Sequence, residues 1–236
     1  AYSTDLGPTV AASWKDRNLF GNAEQLTVTA ASSAGGTAER SAGYSLTGQF
    51  IKPDFLARHQ SLQIDLGAIK QSLLAYDQVA VTGDVLLNRK FSRTWSGSIG
   101  IAAEQEQIKQ QGITRDFTLV GIPVGANYDN TDSLLDPTHG VRMAVSVTPT
   151  ESLGHRDATF VIGQAGASTY FDLAAPGRTV LALRGLFGLV LGASQFQLPP
   201  DKRFYAGGSS TVRGYRYQSV GPRFPDQTPE GGVSLA

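Results

Sequence analysis

The residues that could carry out a chemical reaction are scattered along this sequence and form none of the common catalytic motifs. The nucleophile elbow G-x-S-x-G, the phosphate-binding P-loop and the zinc-protease pattern H-E-x-x-H are all missing. His59, His139 and His155 lie far apart in predicted turns or loops. The stretch from Asp129 to Asp132 resembles the start of a calcium loop but lacks the glycine and the glutamate that complete one. The sequence therefore predicts no enzyme, no cofactor and no metal site.

The composition removes further classes of function. Twenty basic and twenty acidic residues give a formal net charge of zero, so the electrostatic attraction on which nucleic-acid binding depends is absent. The chain has no cysteine, which excludes disulfide frameworks and thiolate metal sites. Only 17% of the residues are charged and 27 are glycine, a composition that favours a sheet-rich chain with many turns. We predict an all-β protein that does not bind nucleic acid.

Side chains alternate between apolar and polar along most of the chain, as they do in strands whose two faces meet different solvents. In the stretch 62–66, for example, leucine and isoleucine alternate with glutamine and aspartate. The same pattern recurs in six other stretches: 25–30, 44–50, 81–88, 95–104, 141–148 and 181–189. Four charged residues fall on the polar face, namely Asp65, Asp84, Glu104 and Arg184. We expect them to face a water-filled interior and not to form a catalytic pair.

The length of the predicted strands favours a membrane barrel over a soluble sandwich. Many strands run for about 10 to 13 residues, which exceeds the usual length in soluble sheets and suits a tilted crossing of a bilayer. Two less regular stretches, 116–128 and 159–171, are also predicted to be strands. Aromatic residues near strand ends fit the interfacial girdles of such a barrel: Tyr2, Trp14, Phe50, Trp95, Tyr128, Tyr170 and Phe171. On this feature alone, the alternative interpretation is that these aromatic residues form the core of a soluble sheet. We predict about ten or eleven strands, joined as sequential hairpins.

The segment after residue 200 departs from this pattern. Phe204 and Tyr205 could end a strand, but Gly207 and Gly208 interrupt it. Such a long connection is uncommon unless it is functional or disordered, and its aromatic residues argue against disorder because they have apolar surface to bury. If the loop folds back into a barrel, Arg213 needs a carboxylate partner, because an uncompensated buried charge costs several kcal/mol.

A close resemblance to a known family lies in residues 203–222, RFYAGGSSTVRGYRYQSVGP. This stretch resembles the sixth extracellular loop of the outer-membrane barrel-assembly superfamily, also called the bacterial surface antigen family. The most specific mark of that family is a V-R-G-F/Y core, which is matched by Val212, Arg213, Gly214 and Tyr215. Other stretches agree along essentially the whole chain, and together they look most like the TamA branch of the superfamily: 2–8, 18–21 and 128–140.

The resemblance implies an antiparallel up-and-down transmembrane β-barrel of about 16 strands in the bacterial outer membrane. In the family the loop folds into the lumen, where the motif arginine, here Arg213, pairs with an acidic residue on a later strand. Phe204, Tyr205, Gly207 and Gly208 are expected to support the loop. The chain is then expected to be part of a longer protein, with periplasmic POTRA domains before it and further strands after it. Its expected organisation is hairpins over 1–200, a last strand and the loop over 201–232, and the start of the next strand at 233–236.

The function that the resemblance implies is the insertion or secretion of outer-membrane proteins. The expected partners are the outer-membrane lipid bilayer, client β-barrel and autotransporter polypeptides, and a TamB-like periplasmic protein. In the family the first and last strands meet at a weak lateral seam. We predict that Leu6, Pro8 and Val10 lie on the first of these strands, because proline is confined to sheet edges and bulges. Two alternatives stay open, a two-partner secretion channel and the barrel anchor of a patatin-like phospholipase.

Overall fold

The fold is one antiparallel β-sheet in which neighbours along the chain are neighbours in the sheet. The computed structural model describes all residues except 1, 4–6, 35–41, 155–156 and 175–176, and describes residues 2 and 3 by their backbone only. In this described part the 13 strands have these bounds: β1 Tyr2–Ser3, β2 Gly7–Asp16, β3 Gln25–Ser33, β4 Gly43–Lys52, β5 Gln60–Ser72, β6 Asp77–Lys90, β7 Trp95–Gln110, β8 Ile113–Gly121, β9 Val124–Asp129, β10 Gly140–Leu153, β11 Ala158–Ala174, β12 Thr179–Leu191 and β13 Ser234–Leu235. Among the described residues we find no helix whose length and apolar character would let it cross a membrane.

The two faces of the sheet have opposite character. Ile64, Val85 and Ile101 are successive cross-strand partners on the apolar face, where 62% of Ile101 is exposed. Asp65 and Asp84 are partners on the polar face. Because successive side chains of a strand point to opposite faces, this register confirms the predicted alternation. We call the apolar face the outer face and the polar face the inner face. An exposed apolar face that runs across the whole sheet requires non-aqueous surroundings.

One long strand is interrupted in the middle. β8 and β9 pair with the same two neighbours, β7 and β10, and the register is the same on both sides of Ile122 and Pro123. Proline has no N–H to donate to the ladder, yet the Ile122 amide donates to the Pro149 carbonyl and the Gly100 amide donates to the Pro123 carbonyl, both at 3.0 Å. The predicted strand at 116–128 is therefore confirmed, with an interruption at Ile122 and Pro123. Counted in this way, β2 to β12 make ten long strands, in agreement with the ten or eleven predicted.

The first edge of the sheet differs from the prediction. Tyr2 of β1 pairs with Pro8 of β2, and Gly7 begins β2 with a left-handed φ of +70°, which favours glycine at this position. Pro8 and Val10 therefore lie on the second strand, whereas the sequence analysis placed them on the first. Leu6, the third residue assigned to the seam, lies outside the described residues. A strand as short as β1, Tyr2–Ser3, shows no alternation by which the sequence could reveal it.

The connection from β12 to β13, residues 192–233, contains no strand. The last strand predicted before the loop is thus not found, since Phe204 makes only an isolated bridge to Gly232. Two features prevent a longer ladder. A 3-10 turn, Pro200–Lys202, precedes Phe204, and Gly207 turns the chain with a φ of +114° shortly after it.

The apolar core lies on the inner face, beneath this connection. Ile108 of β7 and Phe160 of β11 are each 1% exposed, and Leu198 of the connection is fully buried. Other buried members of the cluster come from β8, β11, β12 and the turn between β5 and β6: Ala75, Tyr76, Phe117, Leu119, Ala158 and Val190. The core is therefore enclosed between a single sheet and one chain segment, and it forms only because that segment folds over the inner face.

Candidate functional site

The candidate site is the part of the connection that lies on the inner face. We divide it into the anchor, residues 198–206, the tip, residues 207–217, and the return arm, residues 218–233. The anchor is rich in buried side chains, while every residue of the tip from 209 to 217 is exposed. The tip contains the family motif, so the structure separates the part that holds the segment from the part that carries the motif.

Apolar contacts begin the anchor. Leu198 fills the centre of the core, and Pro199 is among the most completely buried residues of the described chain. The two consecutive prolines fix φ, so the chain enters the Pro200–Lys202 turn in a restricted conformation. This turn presents Asp201 and Lys202 to the sheet.

A charge cluster lies where the anchor meets β7. The Lys202 ammonium is 2.5 Å from a Glu104 carboxylate oxygen and 2.7 Å from an Asp201 carboxylate oxygen. Glu106, two positions along the same face of β7, accepts a hydrogen bond of 2.6 Å from the Gln78 amide of β6. Burial lowers the pKa of Lys202, but the Asp201 and Glu104 carboxylates outweigh it and hold the pKa above its usual value. Lys202 is therefore a permanent cation at the base of the anchor.

Arg203 joins the anchor to the return arm. It is 4% exposed, and its guanidinium donates to the Leu198 carbonyl at 2.9 Å, to the Glu230 carbonyl at 2.9 Å and to the Gln110 side chain at 3.2 Å. Burial lowers the pKa of Arg203. Since a guanidinium titrates far above neutral pH, it stays a donor that fixes three separate parts of the chain.

Tyr205 closes the anchor on its other side. Its hydroxyl donates to the Pro200 carbonyl at 2.9 Å, and its ring centroid lies 6.2 Å from that of Tyr76 in the turn between β5 and β6. Burial raises the pKa of Tyr205 to about 12, so the phenol remains a neutral donor. Phe204 lies over Gly188 of β12, where an added Cβ would approach the ring to 2.4 Å. Of the four residues predicted to support the loop, Phe204 and Tyr205 thus lie in the anchor, whereas Gly207 and Gly208 lie in the tip.

The return arm is tied to two hairpin turns of the sheet. Gln218 is 2% exposed, and its side-chain oxygen accepts a hydrogen bond of 3.4 Å from the Ala75 amide. Asp226 accepts one of 2.9 Å from the Gln111 side chain, which lies in the turn between β7 and β8. The arm then continues into β13, which pairs with β12.

The tip is held by glycine geometry and by its own hydrogen bonds. An added Cβ at Gly207 would lie 2.1 Å from the Arg216 carbonyl oxygen, so no other residue fits there without movement. The Thr211 hydroxyl accepts from the Gly207 amide and donates to the Gly207 carbonyl, both at 2.9 Å. The Gly208 amide donates to the Tyr215 carbonyl at 2.9 Å. These contacts are local, so they shape the tip without attaching it to the sheet.

The motif residues at the tip face solvent. Tyr215 is 61% exposed and Val212 is 36% exposed, and Gly214 adopts a φ of +88° with open space around it. Among the described residues Arg213 has neither an ion pair nor a hydrogen bond of its side chain. The acidic partner expected from the family resemblance therefore stays a prediction about strands beyond those described.

The other residues considered in the sequence form no common site. Asp65 accepts hydrogen bonds from the Gln49 and Gln63 side chains, as a polar inner-face residue should. Asp129 pairs with Arg142 at 2.8 Å and ends a strand. His59 and His139 lie in turns between strands, and His155 lies outside the described residues.

Sequence reasoning missed most of the charge cluster. It identified Glu104 as an inner-face residue but overlooked Glu106, although the two share one phase of β7. The alternation of faces along β7 could therefore have identified Glu106 from the sequence. No local pattern pointed to Asp201 or Lys202, because only the folding of the connection brings them to β7.

Comparison with known proteins agrees with this architecture. Residues 18–236 match the Omp85 superfamily domain. The fold resembles the crystal structure of BamA from Haemophilus ducreyi lacking POTRA domains 1-3, with a TM-score of 0.82 and 16% sequence identity. The match covers 99% of this chain and 49% of that chain, so this chain spans about half the length of the protein it matches. At this identity the likeness concerns the fold.

Proposed function

The chain belongs to the Omp85 superfamily, and we propose from this that it is part of a factor that inserts or exports outer-membrane and autotransporter proteins. It is an all-β transmembrane domain of the bacterial outer membrane. The observation that carries the proposal is the motif-bearing connection, which is anchored on the inner face of a sheet whose outer face is apolar. We assign this domain no catalytic step.

The mechanism that we propose is strand pairing at the edge of the sheet. In the described part, β1 is the outermost strand at this edge of the sheet and pairs with β2 at Gly7 and Pro8. Unpaired backbone N–H and C=O groups of an edge strand are a template for another strand, and they are costly to leave unpaired in lipid. A client strand that pairs there would satisfy its own backbone N–H and C=O groups and those of the edge strand.

Disulfide crosslinking of the full-length protein tests this mechanism. The chain has no cysteine of its own, so a single cysteine at Tyr2 reports on the outermost described strand. A cysteine at Val81, on the outer face of β6 in the middle of the sheet, is the matched control. We expect an adduct between a client strand and position 2, and much less at position 81. Clients that assemble normally without any adduct at position 2 would contradict the edge mechanism.

The same experiment addresses the secretion-channel alternative. A polypeptide that passes through the lumen would contact inner-face positions such as Thr82, which lines a cavity beside Lys202. Adducts at position 82 in place of position 2 would favour a channel. The finer assignment, a TamA-like factor with a TamB-like periplasmic partner, is supported by the sequence resemblance and is tested by co-purification of such a partner with the full-length protein.

A further inference from the structure

We propose that Glu104, Glu106 and Asp201 bind a calcium ion that fastens the anchor to β7. No sequence motif suggested this site, which goes beyond the proposed function. It rests on the charges and hydrogen bonds of buried side chains, and it does not depend on which proteins the domain handles.

The first observation is a charge imbalance. Glu106 is 2% exposed, and the side chains of Glu104 and Asp201 are 16% and 10% exposed. Three ionised carboxylates against the one positive charge of Lys202 would leave an excess of two negative charges, so the buried cluster requires either added protons or a cation. Burying charge without compensation costs several kcal/mol. A divalent cation would bring the cluster to neutrality.

The second observation is the state of two carboxylate oxygens. One oxygen of Glu106 and one of Asp201 are buried without any hydrogen-bond donor. The Gln78 amide serves only the other oxygen of Glu106. Arg203, the nearest arginine along the chain, directs three hydrogen bonds to Gln110 and to two backbone carbonyls, and its Nε is itself buried without an acceptor. No protein group therefore satisfies these two acceptors, and both belong to the same cluster.

The spacing of the three carboxylates is compatible with one shared ion. One oxygen from each residue lies within 4.8 Å of the others. Calcium binds oxygen ligands at about 2.3–2.6 Å in flexible geometry, whereas magnesium demands a near-ideal octahedron at about 2.0–2.1 Å. We choose calcium because an irregular set of protein carboxylates suits its flexible coordination.

Water can complete the coordination. A cavity of about 450 Å³ on the inner face is lined by Asp84, Glu104 and Lys202, together with several threonines. Calcium takes six to eight oxygen ligands and accepts water among them. The ion would thus link two positions of β7 with the anchor turn while its remaining ligands face the lumen.

Terbium luminescence tests the site directly. The Tyr205 hydroxyl donates to the Pro200 carbonyl at 2.9 Å, next to Asp201 in the chain, so this tyrosine is close enough to sensitise a terbium ion bound there. The sample is the full-length protein refolded in detergent without lipopolysaccharide. We expect terbium emission on tyrosine excitation, and its displacement by calcium. Glu106→Gln should weaken calcium affinity at least tenfold.

The matched control is Asp65→Asn. Asp65 is also an inner-face carboxylate, but both of its oxygens already accept from Gln49 and Gln63, so calcium affinity should not change. Asp201→Asn provides a second test on the anchor and decides the matter if Glu106→Gln does not give the heat-modifiable migration of a folded barrel. A wild-type protein that binds neither ion, or unchanged affinity in the folded variant, would overturn the site. No client is present in this assay, so its failure would leave the proposed function intact.

Discussion

The anchor and the tip are adjacent in the chain but are stabilised in different ways. The anchor buries Leu198 in the core and pairs Lys202 with Glu104 of β7. The tip relies on Gly207 and on hydrogen bonds within itself, and Arg213 has no partner among the described residues. The difference teaches that one connection can combine a segment attached to the sheet with a segment held only by its own contacts. The described contacts account for the position of the anchor, whereas an acidic partner for Arg213 stays a prediction from the family resemblance.

Loss of the apolar contact of the anchor should have the largest effect. Leu198→Ala removes a fully buried side chain and should lower the free energy of unfolding by about 3 to 5 kcal/mol, because the cavity can close only in part. Urea unfolding of the full-length protein, followed by its heat-modifiable migration, measures this change. Val212→Ala at the tip is the control and should cost less than about 0.5 kcal/mol. Equal costs at the two positions would remove the distinction between anchor and tip.

Loss of the anchor cation should have the next largest effect. Lys202→Met keeps most of the side-chain volume but leaves Glu104 and Asp201 without their common partner. We expect a loss of about 2 to 3 kcal/mol in the same unfolding assay, below the full cost of a deeply buried pair because the cluster is partly solvated. Lys109→Met, on the outer face of the same strand, is the matched control and should change the stability little.

The tip should respond to substitutions locally. Gly207→Ala places a Cβ against the Arg216 carbonyl at a φ that alanine disfavours, which costs about 1 to 2 kcal/mol of strain. Gly214→Ala shares the positive φ but meets no atom within 4 Å, so its cost should be smaller. Limited proteolysis should show faster cleavage within residues 207–217 for the first variant, with global unfolding unchanged. Cleavage that begins in the anchor would show that the two regions are not independent.

The variant Arg213→Glu tests whether the tip has an acidic partner on a later strand. From the family resemblance we expect faster proteolysis of the tip and weaker heat-modifiable migration in the full-length protein, because glutamate would face the acidic partner expected on a later strand. Unchanged behaviour in both assays would count against a partner in the lumen.

The smallest effect should be a pH dependence at the return arm. Hydrogen bonds from Gln111 and Thr228 hold the pKa of Asp226 below its usual value. A carboxyl group with a lowered pKa in the folded state stabilises that state above its usual pKa of about 4, and the contribution is lost as the pH falls further. The protection factors of the amides at residues 226–228, which are corrected for the intrinsic exchange rate, should therefore fall below about pH 4. Asp226→Asn should leave these protection factors constant over this range, and a persistent fall would exclude Asp226 as its cause.

The two faces of the sheet could be predicted from the sequence because the phase of each strand is local. Leucine and isoleucine at 62–66 reveal which side meets lipid without any knowledge of the neighbouring strands. The pairing of β1 with β2 could not be predicted in this way, because a strand as short as β1 shows no alternation. The pairing of Lys202 with Glu104 was also missed, since 98 positions separate them and no local pattern encodes how a connection folds over a sheet.

That separation has a consequence for the order of folding. Hairpin neighbours such as Asp77 and Ser72 meet after the closure of a very short loop, whereas Gln218 must find Ala75 across 143 positions. Contacts of high sequence separation form late, because their closure entropy is not offset until the surrounding structure exists. The sheet should therefore pass through an intermediate whose inner face is hydrated, and attachment of the anchor should be the slow step that ends it. In unfolding the same step would come first, so release of the anchor would set how long the native state persists.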